Sequence, residues 1–322
     1  MRSALLALRP MRILVTGARG KVGAAAVNAL IEAGHDVLGC DLAAPVFEGY
    51  DRGAHYFQAN LTEAGDAFAV VRGCDAVIHT AAIPEPTRNT PHTVFHNNLM
   101  ATFNVVEACV RLGVPRLVNL SSETVPGMGF AERAFFAPYA PIDEELENRP
   151  QDPYALSKLF GEQLMDAAVA RSDLRAISIR PTWVQWEGNY ARSLGPWLRD
   201  PLGGPPSGSF WSYIDAYDLA DALLLAAQSS LAGHEVMYIA SPDNATGRPL
   251  RELIAHHFGG SVEVRGEPDS GISIERARRL LGYAPSRSWR DYLTGDGELL
   301  PGPRERLERG ETGVQRGRAA FG

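Results

Sequence analysis

The segment Thr16-Gly17-Ala18-Arg19-Gly20-Lys21-Val22-Gly23 restricts the folds open to this chain more than any other. An apolar, β-rich run at residues 13–16 leads straight into it. Residues 22–33 then carry apolar side chains at helical spacing and stop at Gly34, a residue suited to ending a helix. Between a strand and a helix, each glycine has its own use. Gly17 permits a tight turn, Gly20 lets a pyrophosphate approach the backbone, and Gly23 lets the helix pack closely. The first helical turn, at Lys21 and Val22, adds free N–H groups and the positive end of a dipole. The same letters alone would also suit an ordinary glycine-rich turn, so the rest of the chain must decide.

Further apolar runs at residues 37–41, 55–61, 76–81, 117–121 and 176–180 read as strands, with helical patterns at 98–112 and 153–171 between them. Short strands buried on both faces and separated by helices predict an α/β fold. The expectation is a doubly wound parallel sheet of the Rossmann type, with right-handed crossovers. Residues 1–10 read as an N-terminal extension and 11–181 as the dinucleotide-binding core. Residues 182–293 read mainly as a small C-terminal substrate-binding subdomain, with core elements returning near 213–240. Residues 294–322, rich in Gly, Pro, Arg and Glu, read as a flexible tail.

Charge and cysteine content narrow the function. Across 322 residues, 31 Lys+Arg oppose 38 Asp+Glu for a net charge of −7, with no long basic run, which argues against a nucleic-acid partner. No stretch approaches the ~20 uninterrupted apolar residues of a membrane span. The first ten residues lack the apolar length and cleavage site of a secretory signal. Cys40, Cys74 and Cys109 are odd in number and widely spaced, so neither a disulfide framework nor a zinc site is expected, and a cytoplasmic setting is. His92, His96, His256 and His257 show no metal-ligand spacing.

Asp41 ends the second predicted strand, eighteen residues after Gly23. An acidic side chain there accepts hydrogen bonds from a ribose 2′-OH and repels a 2′-phosphate, which favours NAD. Asp41 also suits a helix cap or turn. Arg19 pulls the other way, because a cation beside the turn suits the extra phosphate of NADP, and that cofactor stays open. Further on, Tyr154-Ala-Leu-Ser-Lys158 sets a phenol and an ammonium four residues apart on one helix face. A nearby lysine cation, together with the positive charge of an oxidised nicotinamide, favours the phenolate and makes the tyrosine a better acid/base. Ser121 and Ser122 end the fifth strand, where such sheets place their ligand crevice, and a seryl hydroxyl there can hold a reacting oxygen.

The order and spacing of these parts, together with Asn60-Leu61 and His79-Thr80-Ala81-Ala82, resemble the extended short-chain dehydrogenase/reductases, also called NAD-dependent epimerase/dehydratases. The resemblance covers about residues 11–293. It implies a catalytic triad of Ser122, Tyr154 and Lys158, with Ser121 the alternative serine. It also implies that Asn60 and Leu61 lie near the adenine and that Ala81 and Ala82 pass under the cofactor. Lys158 would also bind the nicotinamide ribose, and Pro181 would lie beside the nicotinamide amide.

The second half bears on substrate. Four of the five tryptophans, Trp183, Trp186, Trp197 and Trp211, crowd one region, where packing accounts for at least two and an aromatic pocket wall for others. Family members acting on nucleotide-diphosphate sugars usually carry an asparagine at the Trp183 position and an arginine near Trp211-Ser212, for the diphosphate. Losing both weakens that substrate class. By contrast, residues 189–194 are similar to the uronate-dehydrogenase stretch whose arginine grips a carboxylate. Arg192 would take that part, or stand as an ordinary exposed loop arginine. Glu123 stands where those dehydrogenases have a neutral residue, and a carboxylate there suits hydroxyls rather than a uronate. Ser122, Glu123, Thr124, Trp183 and Arg192 are therefore the expected substrate contacts, and residues 126–153 an expected covering loop. The expected function is NAD-dependent hydride transfer to or from a free sugar, sugar acid or polyol. A nucleotide-sugar epimerase or dehydratase is the alternative, and a dinucleotide-sensing regulator a third reading. The resemblance further implies a homodimer formed through the helices at 98–112 and 153–171.

Overall fold

The computed structural model describes residues 9–43 and 54–301. The chain opens with β1 (Arg12–Thr16), α1 (Lys21–Glu32), β2 (Asp36–Asp41), β3 (Ala54–Gln58), α2 (Ala64–Val71), β4 (Ala76–His79), α3 (Pro91–Leu112) and β5 (Arg116–Leu120). It continues with β6 (Tyr139–Ala140), α4 (Pro153–Ala170), β7 (Arg175–Pro181), β8 (Trp183–Gln185), α5 (Tyr190–Ser193) and α6 (Gly195–Arg199). The last elements are β9 (Tyr213–Asp215), α7 (Ala216–Gln228), β10 (His234–Ile239), α8 (Leu250–Phe258), β11 (Glu263–Val264) and α9 (Glu275–Leu281).

Seven strands form one parallel sheet in the order β3-β2-β1-β4-β5-β7-β10. Alternate residues of each strand enter opposite cores. Ile13 and Val15 join Ile78, Val118 and Ile177 on one side, while Leu14 joins Val77, Leu117 and Ala176 on the other. Helices α1 and α7 pack together, and α2, α3 and α4 pack together. The chain leaves β1 toward β2 on one side and later returns to β4 on the other. That reversal opens a crevice at the carboxyl ends of β1 and β4.

The remainder builds a smaller lobe over this crevice. Here β8 pairs with β9 and β6 with β11, both in parallel, while β10 rejoins the main sheet beside β7. Two boundaries differ most from the sequence reading. Helix α3 begins at Pro91 rather than near 98, because Thr90 caps it and Pro91 takes the first helical position, where its missing N–H costs nothing. Strand β3 stops at Gln58, since Asn60 turns the chain by accepting from the backbone and hydroxyl of Thr62. Residues 294–300, the start of the expected tail, are folded. Leu293 bridges Leu299, and Gly297, at φ +81°, packs so tightly on Gly195 that a Cβ would lie 2.7 Å from its Cα. The rest of that tail, 302–322, and most of the expected N-terminal extension, 1–8, lie outside the described residues.

One buried ion pair ties α4 to the sheet. Arg180 at the end of β7 donates from Nε and Nη2 to the two carboxylate oxygens of Glu162 at 2.8 and 2.7 Å, and also to Asn148 at 3.1 Å. Removing one member leaves the other charge buried and unpaired. Glu162→Ala is therefore expected to cost about 3–5 kcal/mol, read as a lower urea midpoint. A midpoint shift corresponding to less than about 1 kcal/mol, the worth of a surface pair, would show that the ion pair does not brace the fold.

Candidate active site

The glycine turn is built by exclusion. Gly17 has φ +65°, and a Cβ on it would lie 2.8 Å from the backbone of Ala81. A Cβ on Gly23 would stand 2.1 Å from the Gly17 carbonyl oxygen. Gly20 caps α1 with no side chain to accept its first amides, which leaves those donors facing the crevice. A carboxylate oxygen of Asp41 accepts from the Arg19 N–H at 3.0 Å and the other from Ala43 N–H at 3.1 Å. Asp41 thus braces the turn, and its oxygens keep further lone pairs for a diol. Arg19 lies 5.4 Å from the centre of the Tyr56 ring.

Beneath the turn runs a buried polar chain. His79 exchanges hydrogen bonds with Thr16 Oγ1 at 2.8 Å through Nδ1 and with Thr102 Oγ1 at 3.1 Å through Nε2. Thr16 Oγ1 also accepts from the Ala81 N–H at 3.2 Å. Burial pushes the imidazole down to about 3, so it stays neutral and ties β1, β4 and α3 together under Ala81 and Ala82.

The two serines after β5 point to different partners. Ser121 Oγ donates to Glu162 at 2.6 Å and is held by the Arg180 ion pair. Ser122 Oγ accepts from the N–H and hydroxyl of Thr124 at 3.1 and 3.0 Å, and it lies close enough to Tyr154 to favour ionisation of its phenol. Asp152 caps α4 by accepting from the N–H groups of Tyr154 and Ala155, both at 2.9 Å, which fixes Tyr154 in the first turn. One turn on, Lys158 Nζ donates to the Leu120 carbonyl at 2.7 Å and lies 5.6 Å from the centre of the Tyr154 ring.

Burial dominates the protonation balance of this pair. Burial pushes Tyr154 up to about 12, with Asp152 and Glu123 adding to the rise and the Ser122 hydrogen bond opposing it. Burial likewise pushes Lys158 down to about 8, against the pull of Glu162. A low-dielectric site penalises every charged form, so both groups move toward neutrality.

A cleft of about 930 Å³ runs from the glycine turn to the small lobe. Gly17, Arg19, Gly20, Lys21, Val22, Gly23, Asp41, Asn60, Leu61, Ala81 and Ala82 line its first part. Ser122, Glu123, Thr124, Tyr154, Lys158, Pro181, Trp183 and Arg192 line the rest. Trp183 is 39% exposed and meets Trp197 edge-on at 5.4 Å. Trp186 also faces the cleft, with Lys21 Nζ 4.9 Å from its ring, whereas Trp211 is buried in the lobe. Phe130 escaped the sequence reading: it lines the cleft and meets Tyr154 edge-on at 6.3 Å. It sits in an irregular segment, where no periodicity marks which side chain turns inward.

The turn, the free amides of α1 and the Asp41 carboxylate suit a dinucleotide with an unmodified ribose. Comparison with known proteins agrees. The family described as "NAD dependent epimerase/dehydratase family" matches residues 13–240. UDP-glucose 4-epimerase of Corynebacterium glutamicum is 28% identical over 315 residues, covering 86% of this chain and 92% of that one. A short-chain dehydrogenase/reductase superfamily protein of Agrobacterium tumefaciens, solved with bound NAD, superposes with a TM-score of 0.68. It is 23% identical over 93% of this chain and 99% of its own. A mutated uronate dehydrogenase superposes with a TM-score of 0.62 at 22% identity, over 95% and 88% of the two chains.

Replacing Asp41 by alanine removes one or two hydrogen bonds to a charged acceptor, so the Kd for NAD is expected to rise about ten- to a hundredfold. Calorimetric titration measures it, with Asp41→Asn as the variant that keeps an acceptor for the Arg19 N–H. An unchanged Kd in both variants would show that Asp41 only braces the turn.

Proposed function

The chain belongs to the NAD dependent epimerase/dehydratase family, and we propose that within it this protein is a dehydrogenase of a free sugar, sugar acid or similar polyol. The observation that carries this reading is the wall of the substrate end. Trp183 presents an indole there, backed edge-on by Trp197, and indole faces suit the C–H faces of a sugar ring. A nucleoside diphosphate would instead need charge-assisted donors. Of the cations near this end, Arg88 is engaged by Glu85 at 2.7 Å. Arg192 is exposed, with no hydrogen bond or ion pair to another described residue.

In the proposed reaction the substrate hydroxyl lies between Ser122 and Tyr154. Ser122 Oγ, steadied by Thr124, holds the oxygen. Tyr154 Oη takes its proton as the carbinol hydrogen leaves as hydride. NAD, when bound, supplies the hydride acceptor and a positive charge on its nicotinamide ring. Lys158 adds a second cation below about pH 8, where its ammonium persists. The base form of Tyr154 does the work, so oxidation is favoured on the alkaline side until Lys158 loses its charge.

The 28% identical UDP-glucose 4-epimerase favours a second reading, in which the hydride returns to the substrate and no net oxidation occurs. Aldoses, uronates and nucleotide sugars assayed with NAD and NADP separate the two. Net NADH from an unactivated sugar or sugar acid is the expected result, and turnover of UDP-sugars without net NADH would replace the dehydrogenase by the epimerase. Tyr154→Phe is expected to lower kcat about 10²–10⁴-fold while the Kd for NAD stays nearly constant. Full retention of the protein's activity in that variant would favour a non-catalytic, dinucleotide-sensing role.

We also propose a homodimer through α3 and α4, where Phe103 is 40% exposed. Light scattering should return twice the chain mass, and a monomeric mass would contradict it. The three buried free thiols, Cys40, Cys74 and Cys109, suit the proposed reducing, cytoplasmic setting.

A further inference from the structure

Phe130 is an apolar ring that feeds none of the hydrophobic cores. Its loop neighbours Met128 and Phe135 pack into the main core, whereas Phe130 lies outside every core of the described residues and lines the cleft instead. There it meets Tyr154 edge-on, with the ring planes at 89° and the centres 6.3 Å apart. An edge-on pair sets the positive rim of one ring against the negative face of the other, which fixes their relative orientation. Lys158 Nζ lies 5.6 Å from the centre of the same tyrosine ring, so Tyr154 is flanked by the loop and by its own helix.

The loop that carries Phe130 is anchored on both sides of it. Before it, Gly127 has φ +101° and donates its N–H to the Thr124 carbonyl at 2.8 Å. A Cβ on Gly127 would lie 2.2 Å from the Arg149 carbonyl oxygen, and Arg149 donates its own N–H to the Pro126 carbonyl at 3.2 Å. After it, the Gln151 amide takes both backbone groups of Arg133. It accepts from the N–H at 2.9 Å and donates to the carbonyl at 3.1 Å. Both anchors lead to the site. Thr124 is the residue that donates to Ser122 Oγ, and Gln151 directly precedes Asp152, which caps the turn bearing Tyr154. Phe130 is therefore held relative to the same two elements that carry Ser122 and Tyr154.

We propose that Phe130 is a positioning residue of this site, whose ring shields the Tyr154 phenol from water on the loop side and holds the tyrosine ring at the angle its proton transfer uses. The inference rests on the proposed reading of Tyr154 as the base. A phenol open to water can leave its rotamer, and the solvent around it must reorganise as the proton moves. A ring packed edge-on blocks both, and it brings no polar atom to compete for the proton. Because Phe130 lies outside the cores, its removal leaves the main apolar burial of the fold in place and acts on the cleft.

Acetylation by N-acetylimidazole reads the shielding without any turnover, since the reagent attacks phenols that solvent reaches. The full chain is treated, digested, and the rate at Tyr154 followed by mass spectrometry. Tyr190 and Tyr213, both buried in the small lobe, report whether the fold is intact. Phe130→Ala is expected to speed acetylation of Tyr154 about two- to tenfold, the worth of an edge-on aromatic pair, while Tyr190 and Tyr213 stay protected. Phe130→Leu, which keeps apolar bulk but not the ring, is expected to fall between the two. An unchanged rate at Tyr154 in a folded F130A would overturn the inference. Should F130A lose the protection of Tyr190 and Tyr213, F130L carries the same comparison, and an unchanged rate there would overturn it equally.

A double-mutant cycle then asks whether Phe130 acts through Tyr154. The kcat of wild type, F130A, Y154F and the double variant is measured with NAD on D-glucose, D-glucuronate and UDP-glucose, alongside the Kd for NAD. F130A is expected to lower kcat about two- to tenfold in the wild-type background, to cost nothing further once Tyr154 is phenylalanine, and to leave the Kd for NAD unchanged. F130L is expected to recover part of the loss. An equal loss in both backgrounds would make Phe130 an ordinary wall of the cleft and overturn the inference. Full activity of Y154F together with faster acetylation of Tyr154 in F130A would remove Tyr154 as the base and still sustain the shielding.

Discussion

No side chain fits between the first turn of α1 and the carbonyl of Gly17, where a Cβ on Gly23 would stand 2.1 Å from the oxygen. That close approach sets the rest of the cleft. It presses the helix N-terminus onto the end of β1, so the uncapped amides of α1 face the crevice instead of solvent. It also brings Gly17 against the backbone of Ala81, which fixes where β4 ends relative to β1. Asp41 then closes the arrangement from β2 by holding the Arg19 N–H. A dinucleotide site on this fold is largely a matter of backbone geometry, with one carboxylate to read the ribose.

Two buried polar networks carry the walls. The His79 chain joins β1, β4 and α3 below the turn, and the Glu162–Arg180 pair joins α4 to β7. The second also separates two adjacent serines by function. Ser121 is consumed by Glu162, which leaves Ser122 as the hydroxyl that meets Tyr154. In the proposed reaction, positioning and chemistry thus fall to neighbouring residues just past the end of β5.

Enclosure then governs the charges. Burial drives Tyr154 upward, Lys158 downward and Glu123 upward, each toward its neutral form. In such an environment a single added charge moves proton affinities farther than it would in water. A positive ring beside Tyr154 therefore favours its ionisation, and a negative group beside Glu123 disfavours the loss of its proton. The same low polarity that hinders the phenol on its own makes it responsive to what binds.

The sequence by itself determined the sheet, the glycine turn, Asp41 and the Tyr154–Lys158 pair, because each depends on local spacing. Glycine tolerates contacts no other residue does, a strand alternates every second residue, and a helix repeats every turn. It also carried Thr90-Pro91, the start of α3, although the apolar pattern alone pointed to a later beginning. Only the tertiary structure decided that Ser121 is taken by Glu162 while Ser122 lies beside Tyr154, that burial raises the phenol, and that Phe130 enters the cleft. These outcomes depend on segments far apart in the chain meeting in space. Ser121 reaches Glu162 across 41 residues of chain, and nothing in the local pattern around either residue records the other.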